Sequence, residues 1–371
     1  MARIVPKYTV QEINAAGKAL VRSEDMVYFS KHISEYLTAL ETINNFRASH
    51  AFPLNTFQIN LRSVSKRFDG EALVAQRIKR MASIAQKLVL RPSMKLSQMQ
   101  DLGGCRAIVQ NISVVKSIVD YYLYQSGIKH ILASHDDYIA TPKPSGYRGV
   151  HLVYRYFSDK SEVYNGMKIE LQIRSRYQHA WATAVETVGM FSGQALKSSL
   201  GSQEWQRFFS LMGSVIALRE SGPIVPGTPT DRSELMAELA FLANHLQVES
   251  RLTEFNKAVH AISTGSDDAY YYLLQLDPTS GTLTVTGYSE KEKDAASAAY
   301  AEAEEQGKVK TGTDAVLVSV ESVGSLAKAY PNYFADTRVF LTLLRQSLSG
   351  KSRGIKVADV KLSQQRTLFD D

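Results

Sequence analysis

A polar loop near the middle of the chain places two cations and an aromatic ring among turn-forming residues. It covers residues 138–151 and contains two prolines and two glycines. Prolines fix φ and glycines permit backbone angles that other residues avoid, so the composition predicts a loop of defined shape. Between them stand Lys143, Tyr147 and Arg148, which offer an ammonium, a ring for stacking and a guanidinium fork. This combination suits a nucleotide.

The segment that follows reads as two strands with one polar face. Residues 167–174 alternate strictly between apolar and polar side chains, which predicts a strand whose even-numbered residues share a face. These residues are Lys168, Glu170, Gln172 and Arg174. Alternation alone favours an ordinary solvated face. Because a nucleotide-type loop precedes this strand, we expect the face to meet a ligand.

A basic stretch lies upstream, at residues 77–87. Its pattern predicts a helix on which Lys79, Ser83 and Lys87, four positions apart, share one face. Two like charges on one face repel each other unless an anion lies between them. Spacing alone favours a solvated basic face here, so the stretch becomes informative only together with its neighbours.

A turn that contains an acid comes next. Asp101 precedes two glycines and a short apolar strand, with Arg106 at the start of that strand. Asp101 and Tyr147 are 46 positions apart and Tyr147 and Glu170 are 23 apart, which leaves room for a helix and three strands. The chain therefore has the length to bring these residues to one sheet.

Together these blocks resemble the synthetase domain of the RelA/SpoT family, which transfers pyrophosphate from ATP to the 3′ hydroxyl of a nucleotide. The basic stretch, the acid-containing turn, the loop and the polar strand follow one another in the order of that family. The resemblance implies an α+β fold, with a nucleotidyltransferase-like mixed β-sheet flanked by helices. It also implies that Mg²⁺ is the cofactor.

The resemblance assigns a role to each group of polar residues. The ATP-binding group is Arg77 and Arg106 around the adenine, with Lys79, Ser83 and Lys87 on the phosphates. The acceptor-binding group is Lys143, Tyr147, Arg148, His151 and Gln172, with Tyr147 stacked on the base. The catalytic and metal-binding group is Asp101 and Glu170, of which Glu170 also helps to deprotonate the acceptor hydroxyl.

Composition limits the remaining possibilities. With 371 residues, 44% of them hydrophobic, the chain is long enough for two or three domains. Cys105 is the only cysteine, so neither an intramolecular disulfide nor a multi-cysteine zinc site can form. Because apolar runs of membrane-spanning length and a signal-peptide pattern are both missing, we expect a cytoplasmic protein without membrane contact. The net charge of +6 is mild and decides nothing.

The sequence predicts two units. Residues 1–262 form the synthetase unit with flanking helices, and residues 263–371 form a smaller α+β unit with a polar tail. The predicted elements beyond residue 200 are helices over 205–219 and 233–262, a hairpin of strands 270–276 and 282–288, a helix over 290–306, a strand over 315–320, and an apolar helix from Tyr330 to residue 348.

The smaller unit resembles the regulatory part of the CapRel family, fused toxin–antitoxins of phage defence. The resemblance rests on the order of hairpin, helix and strand and on Tyr330 and Tyr333, separated by two residues. It implies a zinc-finger-like domain without zinc whose two tyrosines plug the ATP site until a phage major capsid protein binds. Spacing alone would instead predict a tyrosine pair packed within its own domain.

Three functions are therefore open. The first is a toxic pyrophosphokinase that modifies the 3′ end of tRNA and blocks translation. The second is a small alarmone synthetase that makes (p)ppGpp from GDP or GTP, and the catalytic motifs do not separate the two. The third is a catalytically silent sensor of a ligand or phage protein. Asp101, Tyr147 and Glu170 are all present, which favours catalysis over the sensor.

Overall fold

A single mixed sheet carries all the strands in the described part of the chain. The structure is a computed structural model and describes residues 4–23, 25–191, 203–258, 260–265, 269–277, 280–309, 314–319, 329–330, 333–334 and 336–349. The strands are β1 (Leu73–Ile78), β2 (Gly103–Val109), β3 (Ile131–Asp137), β4 (Val150–Arg155), β5 (Lys168–Ser175), β6 (His260–Gly265), β7 (Tyr271–Asp277), β8 (Thr282–Tyr288) and β9 (Asp314–Ser319). Their spatial order is β3-β4-β5-β2-β1-β9-β7-β8-β6.

Helices flank this sheet, as expected for the predicted α+β class. Over the described ranges they are α1 (Val10–Arg22), α2 (Met26–Lys31), α3 (Ile33–Ser49), α4 (Ala51–Phe68), α5 (Met81–Leu90), α6 (Ile112–Asp120), α7 (Arg176–Phe191), α8 (Gln203–Arg219), α9 (Arg232–His245), α10 (Val248–Ala258), α11 (Lys293–Val309) and α12 (Arg338–Leu348). None of these helices combines the length and the apolar character needed to cross a membrane.

Strand pairing gives the sheet two distinct faces. β5 runs parallel to β2 and antiparallel to β4, and the register sets Gln172 beside both Arg106 and His151. On the opposite face of β5, Ile169, Leu171 and Ile173 are fully buried in the core beneath α4 and α6. The alternation of β5 was therefore predicted correctly. Its apolar face lies in the core, and Glu170 and Gln172 on its polar face line a small cavity.

Two further cores hold the helices in place. One joins α1, α3 and α5 through residues such as Ile43 and Ile84, both fully buried. The other joins α7, α8, α9, α10 and α12, where Phe208 of α8 packs against Phe340 of α12 with ring centroids 6.2 Å apart. These cores fix α5 and α7, the helices that border the polar face.

The predicted helix over residues 77–87 is wrong in its first part. Arg77 lies on β1, and Lys79 lies in the turn before α5, which begins only at Met81. β1 pairs with β2 on one side and β9 on the other, so its backbone groups are satisfied by neighbours far away in sequence. This pairing overrides the helical pattern of the charged residues.

The long helix predicted over residues 233–262 is also wrong. The chain forms α9 and α10 instead, separated at Gln247, which has a φ of +50°. A residue other than glycine seldom adopts this left-handed conformation, and it turns the chain between the two helices. The last apolar helix begins at Arg338 rather than at Tyr330.

We call the described residues from 260 onward the C-terminal unit. Its hairpin, β7 and β8, and the following helix and strand lie where the sequence predicted them. β9 pairs along its whole length with β7 and through two register pairs with β1, which joins both units in one sheet. The polar tail is predicted from Ser349 onward, and its residues 350–371 lie outside the described residues.

Candidate active site

A small cavity lies against the polar face of β2 and β5, where the C-terminal unit meets β1. Its volume is about 40 Å³. It is lined by Ala75, Arg77, Lys79, Asp101, Gly104, Cys105, Arg106, Glu170, Gln172 and Tyr330. Most of these are residues that the sequence singled out, and they come from four separate segments of the chain. The fold thus gathers them around one space.

Asp101 lies between two lysines. Its two carboxylate oxygens accept hydrogen bonds of 2.8 Å from Nζ of Lys79 and Nζ of Lys87. Burial opposes ionisation of this carboxyl, but the two ammonium groups outweigh burial and hold the pKa of Asp101 well below its usual range. Two cations that share one anion leave an excess positive charge, which favours an anionic ligand.

A chain of hydrogen bonds connects the loop to the strand. Nδ1 of His151 donates to Oε1 of Glu170 at 2.8 Å, because a carboxylate can only accept. In the neutral imidazole Nε2 then accepts from the hydroxyl of Tyr147, 2.6 Å away. Nε2 of Gln172 donates to Oε2 of Glu170 at 2.8 Å. Burial raises the pKa of Glu170, but the His151 contact outweighs it, so the net pKa is lowered.

The loop before β4 keeps its shape through a close contact with α8. Gly146 has a φ of +92°, and a Cβ atom there would lie 2.6 Å from the carbonyl oxygen of Phe209. A Cβ atom on Gly213 of α8 would likewise lie 2.7 Å from Cα of Gly146. Both positions therefore require glycine. This contact presents the Tyr147 ring beside Trp181, with ring centroids 6.3 Å apart.

Three guanidinium groups border the same polar face, on Arg77, Arg106 and Arg174. Burial lowers the pKa of Arg106, and its like-charged neighbours Arg174 and Arg77 lower it further. Nε of Arg106 is buried and finds no hydrogen-bond partner among the described residues. A desolvated guanidinium of this kind favours an anion or the face of an aromatic ring.

Tyr330 and Tyr333 lie where the C-terminal unit touches β1. The hydroxyl of Tyr330 donates to the carbonyl oxygen of Gln76 at 3.0 Å, and Nη1 of Arg80 donates to the hydroxyl of Tyr333 at 3.4 Å. Both tyrosines are buried, with 3% and 1% of their surface exposed. Burial raises the pKa of Tyr330 to about 12, although Arg106 and Arg77 oppose this. Tyr330 also lines the small cavity.

Seven of the residues proposed from the sequence do not line this cavity: Ser83, Lys87, Lys143, Tyr147, Arg148, His151 and Tyr333. Lys87 and His151 bond to its lining residues Asp101 and Glu170. Arg148 is buried and forms an ion pair of 3.3 Å with Glu220 of α8. Ser83 lies on α5, half-buried and outside the cavity wall. Lys143 is exposed, and its Nζ lies 3.9 Å from the centroid of the Tyr138 ring.

One polar cluster had no signal in the sequence. Glu304 of α11 pairs with Nη1 of Arg47 at 3.0 Å, and its Oε1 accepts from the backbone N–H of Met81 at 2.8 Å. The hydroxyl of Tyr300 donates to the same oxygen at 2.7 Å. The N–H of Met81 opens α5, the helix that carries Ser83 and Lys87. Arg47 and Glu304 are 257 positions apart, so no local pattern could connect them.

The two carboxylates fit a hard divalent cation. Asp101 and Glu170 line the same cavity, and oxygen ligands are those that Mg²⁺ prefers. The described residues contain no group of three or more metal-binding side chains. Mg²⁺ is usually held by one or two carboxylates together with substrate phosphates, so a pair of carboxylates is sufficient for an ion that arrives with a nucleotide.

Comparison with known proteins relates part of this chain to one protein family. Residues 76–190 match the family described as the region found in RelA and SpoT proteins. The chain is 26% identical over 164 residues to the GTP pyrophosphokinase YwaC of Bacillus subtilis, covering 41% of this chain and 77% of that protein. It is 30% identical over 112 residues to YjbM of the same organism, covering 30% of this chain and 52% of that protein.

A longer relative is matched only in part. The chain is 24% identical over 156 residues to the GTP pyrophosphokinase of Escherichia coli K12, covering 42% of this chain and 20% of that enzyme. Residues 76–190 thus resemble the region found in RelA and SpoT proteins, and the chain aligns with proteins named GTP pyrophosphokinases. The predicted enzyme class, a pyrophosphokinase that uses ATP, is confirmed by these homologues.

Solved structures complete the comparison. Small alarmone synthetase 2 from Bacillus subtilis superposes with a TM-score of 0.39 and 21% identity, over 48% of this chain and 93% of that one. Small alarmone synthetase 1 from the same organism, bound to its product pppGpp, superposes with a TM-score of 0.36 and 25% identity, over 44% of this chain and 90% of that one.

Proposed function

We propose that this protein transfers pyrophosphate from ATP to the 3′ hydroxyl at the end of tRNA, and thereby blocks translation in the cytoplasm. One observation supports this reaction above the others. Asp101 and Glu170 line the same cavity, beside two lysines and two guanidinium groups. A phosphoryl-transfer site needs these parts: positive charge for the phosphates, hard ligands for a metal, and a base.

The residues divide the reaction between them. The 3′ oxygen of the acceptor attacks the β-phosphorus of ATP, the bond from this phosphorus to the oxygen shared with the α-phosphate breaks, and AMP leaves. Glu170 takes the proton of the hydroxyl, while His151 holds the carboxylate in place. Lys79 and Lys87 turn from Asp101 to the phosphates. Asp101 and Glu170 would hold Mg²⁺, which would supply positive charge to neutralise the phosphates.

The same geometry supports a closed, inactive state. A cavity of about 40 Å³ holds little more than a water molecule, whereas a nucleotide needs several hundred cubic ångströms. Tyr330 occupies the edge of this space, next to Arg77 and Arg106. We therefore propose that the C-terminal unit excludes ATP and that Tyr330 and Tyr333 form the plug.

Glu304 adds an anion to this closure. Its carboxylate accepts a hydrogen bond from the backbone N–H of Met81, the first residue of α5. The backbone N–H groups at this end of a helix attract anions. In the proposed open state this end of α5 faces the ATP phosphates together with Ser83 and Lys87. Glu304 then stands in for a phosphate group while the enzyme is off.

Release requires a partner that binds the C-terminal unit. The resemblance to the CapRel family supports a phage major capsid protein as this trigger, and an antiviral role follows from it. The zinc-finger-like character of the unit rests on the same resemblance. A bound partner needs only to outweigh the contacts of the plug, since a ligand shifts a two-state equilibrium by its differential affinity for the two states.

The relatives favour a second acceptor. YwaC and YjbM are named GTP pyrophosphokinases, and small alarmone synthetase 1 was solved with pppGpp. The alternative proposal is therefore that this protein makes (p)ppGpp from GDP or GTP. In both cases Tyr147 would stack on the acceptor base.

One experiment separates these proposals. The purified protein, opened by Tyr330→Ala and Tyr333→Ala, is incubated with ATP labelled on the γ-phosphate and with either bulk tRNA or GDP. Label in tRNA supports the toxin, and label in a nucleotide of pppGpp or ppGpp mobility supports the alarmone synthetase. Glu170→Gln in the same background is the matched control. If neither acceptor is labelled, the protein is a sensor without this activity.

A further inference from the structure

A buried carboxylate contacts the loop that carries Tyr147. Glu220 stands at the C-terminal end of α8, and only 4% of its side chain is exposed. Its two oxygens accept hydrogen bonds from three side chains, which belong to two other parts of the chain. Burial of a carboxylate is unfavourable unless donors compensate for it, so Glu220 and these donors depend on one another. The pyrophosphate transfer proposed above does not use this group.

One of the three donors belongs to the loop. Arg148 directly follows Tyr147, and its Nη1 donates to Oε2 of Glu220 at 3.3 Å. Nε and Nη2 of Arg148 are buried and find no hydrogen-bond partner among the described residues. The position of this guanidinium therefore depends on Glu220.

The chain after α8 encloses the same guanidinium. Only 2% of the Arg148 side chain is exposed, and a Cβ atom added at Gly222 would collide with its Nη2. A side chain at position 222 would therefore have to displace Arg148. This packing keeps the guanidinium beside Glu220, so the loop is fixed at the residue next to the Tyr147 ring.

The other two donors lie at the junction between β5 and α7. The hydroxyl of Ser175 donates to Oε1 of Glu220, and Nε2 of Gln178 donates to Oε2 at 2.9 Å. Ser175 and Gln178 also cap α7, because the N–H of Gln178 donates to Oγ of Ser175 at 3.2 Å and the N–H of Ser175 donates to Oε1 of Gln178 at 3.1 Å. This capped junction continues directly from β5, the strand that carries Glu170 and Gln172.

We infer that Glu220 is a positioning residue for the acceptor site. It connects Arg148 of the loop to Ser175 at the end of β5, and thereby sets the place of the Tyr147 ring relative to the polar face of that strand. Glu220 acts through these two residues and not through contact with a substrate. The consequence for acceptor binding rests on the proposed function, whereas the effect on the loop does not.

The effect on the loop is tested by amide hydrogen exchange on the full chain without substrate. The N–H of Tyr138, which donates to the carbonyl oxygen of Gly149 at 3.0 Å, reports on this part of the loop. Glu220→Gln keeps the shape of the side chain, but its NH₂ group replaces one acceptor oxygen with a donor. We expect the Tyr138 amide to exchange about tenfold faster, as the loss of one charge-assisted hydrogen bond implies. The amides of β1 should keep their rates.

Two further variants complete this measurement. Arg148→Lys keeps the positive charge but loses the planar fork, so it should change the same amide in the same direction by less. It is the milder test if Glu220→Gln lowers the melting temperature. Glu238→Gln is the matched control, because Glu238 pairs with Arg207 of α8 at 2.6 Å and its loss removes an ion pair of that helix outside the loop.

Acceptor binding is measured by pyrophosphate transfer in protein opened by Tyr330→Ala and Tyr333→Ala. There Glu220→Gln should raise the KM for the acceptor about tenfold and leave the KM for ATP unchanged, since the proposed ATP-binding residues lie in other segments. A variant that is only less stable would lose active enzyme, and therefore kcat, with both KM values unchanged.

The inference is overturned if the Tyr138 amide exchanges no faster in Glu220→Gln than in Glu238→Gln, or if an active Glu220→Gln variant keeps its KM for the acceptor. Faster exchange in the loop together with no pyrophosphate transfer by the opened protein or any variant would refute the proposed function instead. The role of Glu220 in fixing the loop would then stand.

Discussion

We expect that Glu304→Gln activates the enzyme without any trigger. Glu304 accepts hydrogen bonds from Met81 and Tyr300 and pairs with Arg47, and only 14% of its side chain is exposed. Arg47 is still more deeply buried. The substitution keeps the size of the side chain and removes its charge. In the closed state the Arg47 guanidinium is then buried without a counter-charge. In the open state water would solvate Arg47, so only the closed state is destabilised.

The structure gives the size of the effect. Removal of one partner from a buried ion pair costs about 3–5 kcal/mol, and the partial exposure of Glu304 points to the lower end. About 3 kcal/mol corresponds to a shift of the opening equilibrium on the order of 100-fold. If about one molecule in a thousand of the unsubstituted protein is in the open state, about one in ten molecules of the variant would be open.

The assay follows label transfer from ATP to tRNA and to GDP in the absence of any phage protein, together with growth after induction. Glu302→Gln is the matched control, because Glu302 lies on the same helix and is exposed. Adding Glu170→Gln should silence the activated variant. The reasoning is refuted if Glu304→Gln melts at the same temperature as Glu302→Gln and is equally inactive.

Three further results are expected. Tyr147→Ala or Glu170→Gln should abolish growth inhibition and label transfer while circular dichroism stays unchanged, and a variant that remains toxic would contradict the assigned site. Tyr330→Ala combined with Tyr333→Ala should either release toxicity without a trigger or alter the response to one, so wild-type behaviour in both tests would leave these tyrosines with a structural role only. Activity should need Mg²⁺ and survive a zinc-selective chelator, since Asp101 and Glu170 provide hard oxygen ligands, and a loss of folding on zinc removal would oppose this.

The polar strand and its loop could be predicted because their signals are local. A strict alternation over residues 167–174 fixes which side chains share a face, and the loop has prolines and glycines at its turns. The requirement for glycine at position 146 became explicable only in the structure, where α8 approaches the backbone. Such an approach joins segments more than sixty positions apart, and no local pattern records it.

The elements that were predicted wrongly share one physical cause. Arg77 lies on a strand because β2 and β9 pair with β1 from both sides, and this pairing depends on residues far along the chain. The break at Gln247 relies on a strained φ that packing of α9 and α10 against α7 maintains. Tertiary contacts decided both cases, as they also decided the pairing of Arg47 with Glu304.

The junction between β1 and β9 bears on the proposal that the C-terminal unit is a removable inhibitor. β9 shares two register pairs with β1, from Gln76 and Arg77, but six with β7 in its own unit. Under this proposal, separation at the junction would break few backbone hydrogen bonds and would leave the pairing of β9 with β7 intact. It turns β1 into an edge strand, which exposes N–H and C=O groups beside Arg77. An edge of this kind attracts another strand, so the open state tends either to close again or to pair with a partner. In the proposed mechanism, the same short junction would allow the C-terminal unit to separate and would favour its return once the trigger is gone.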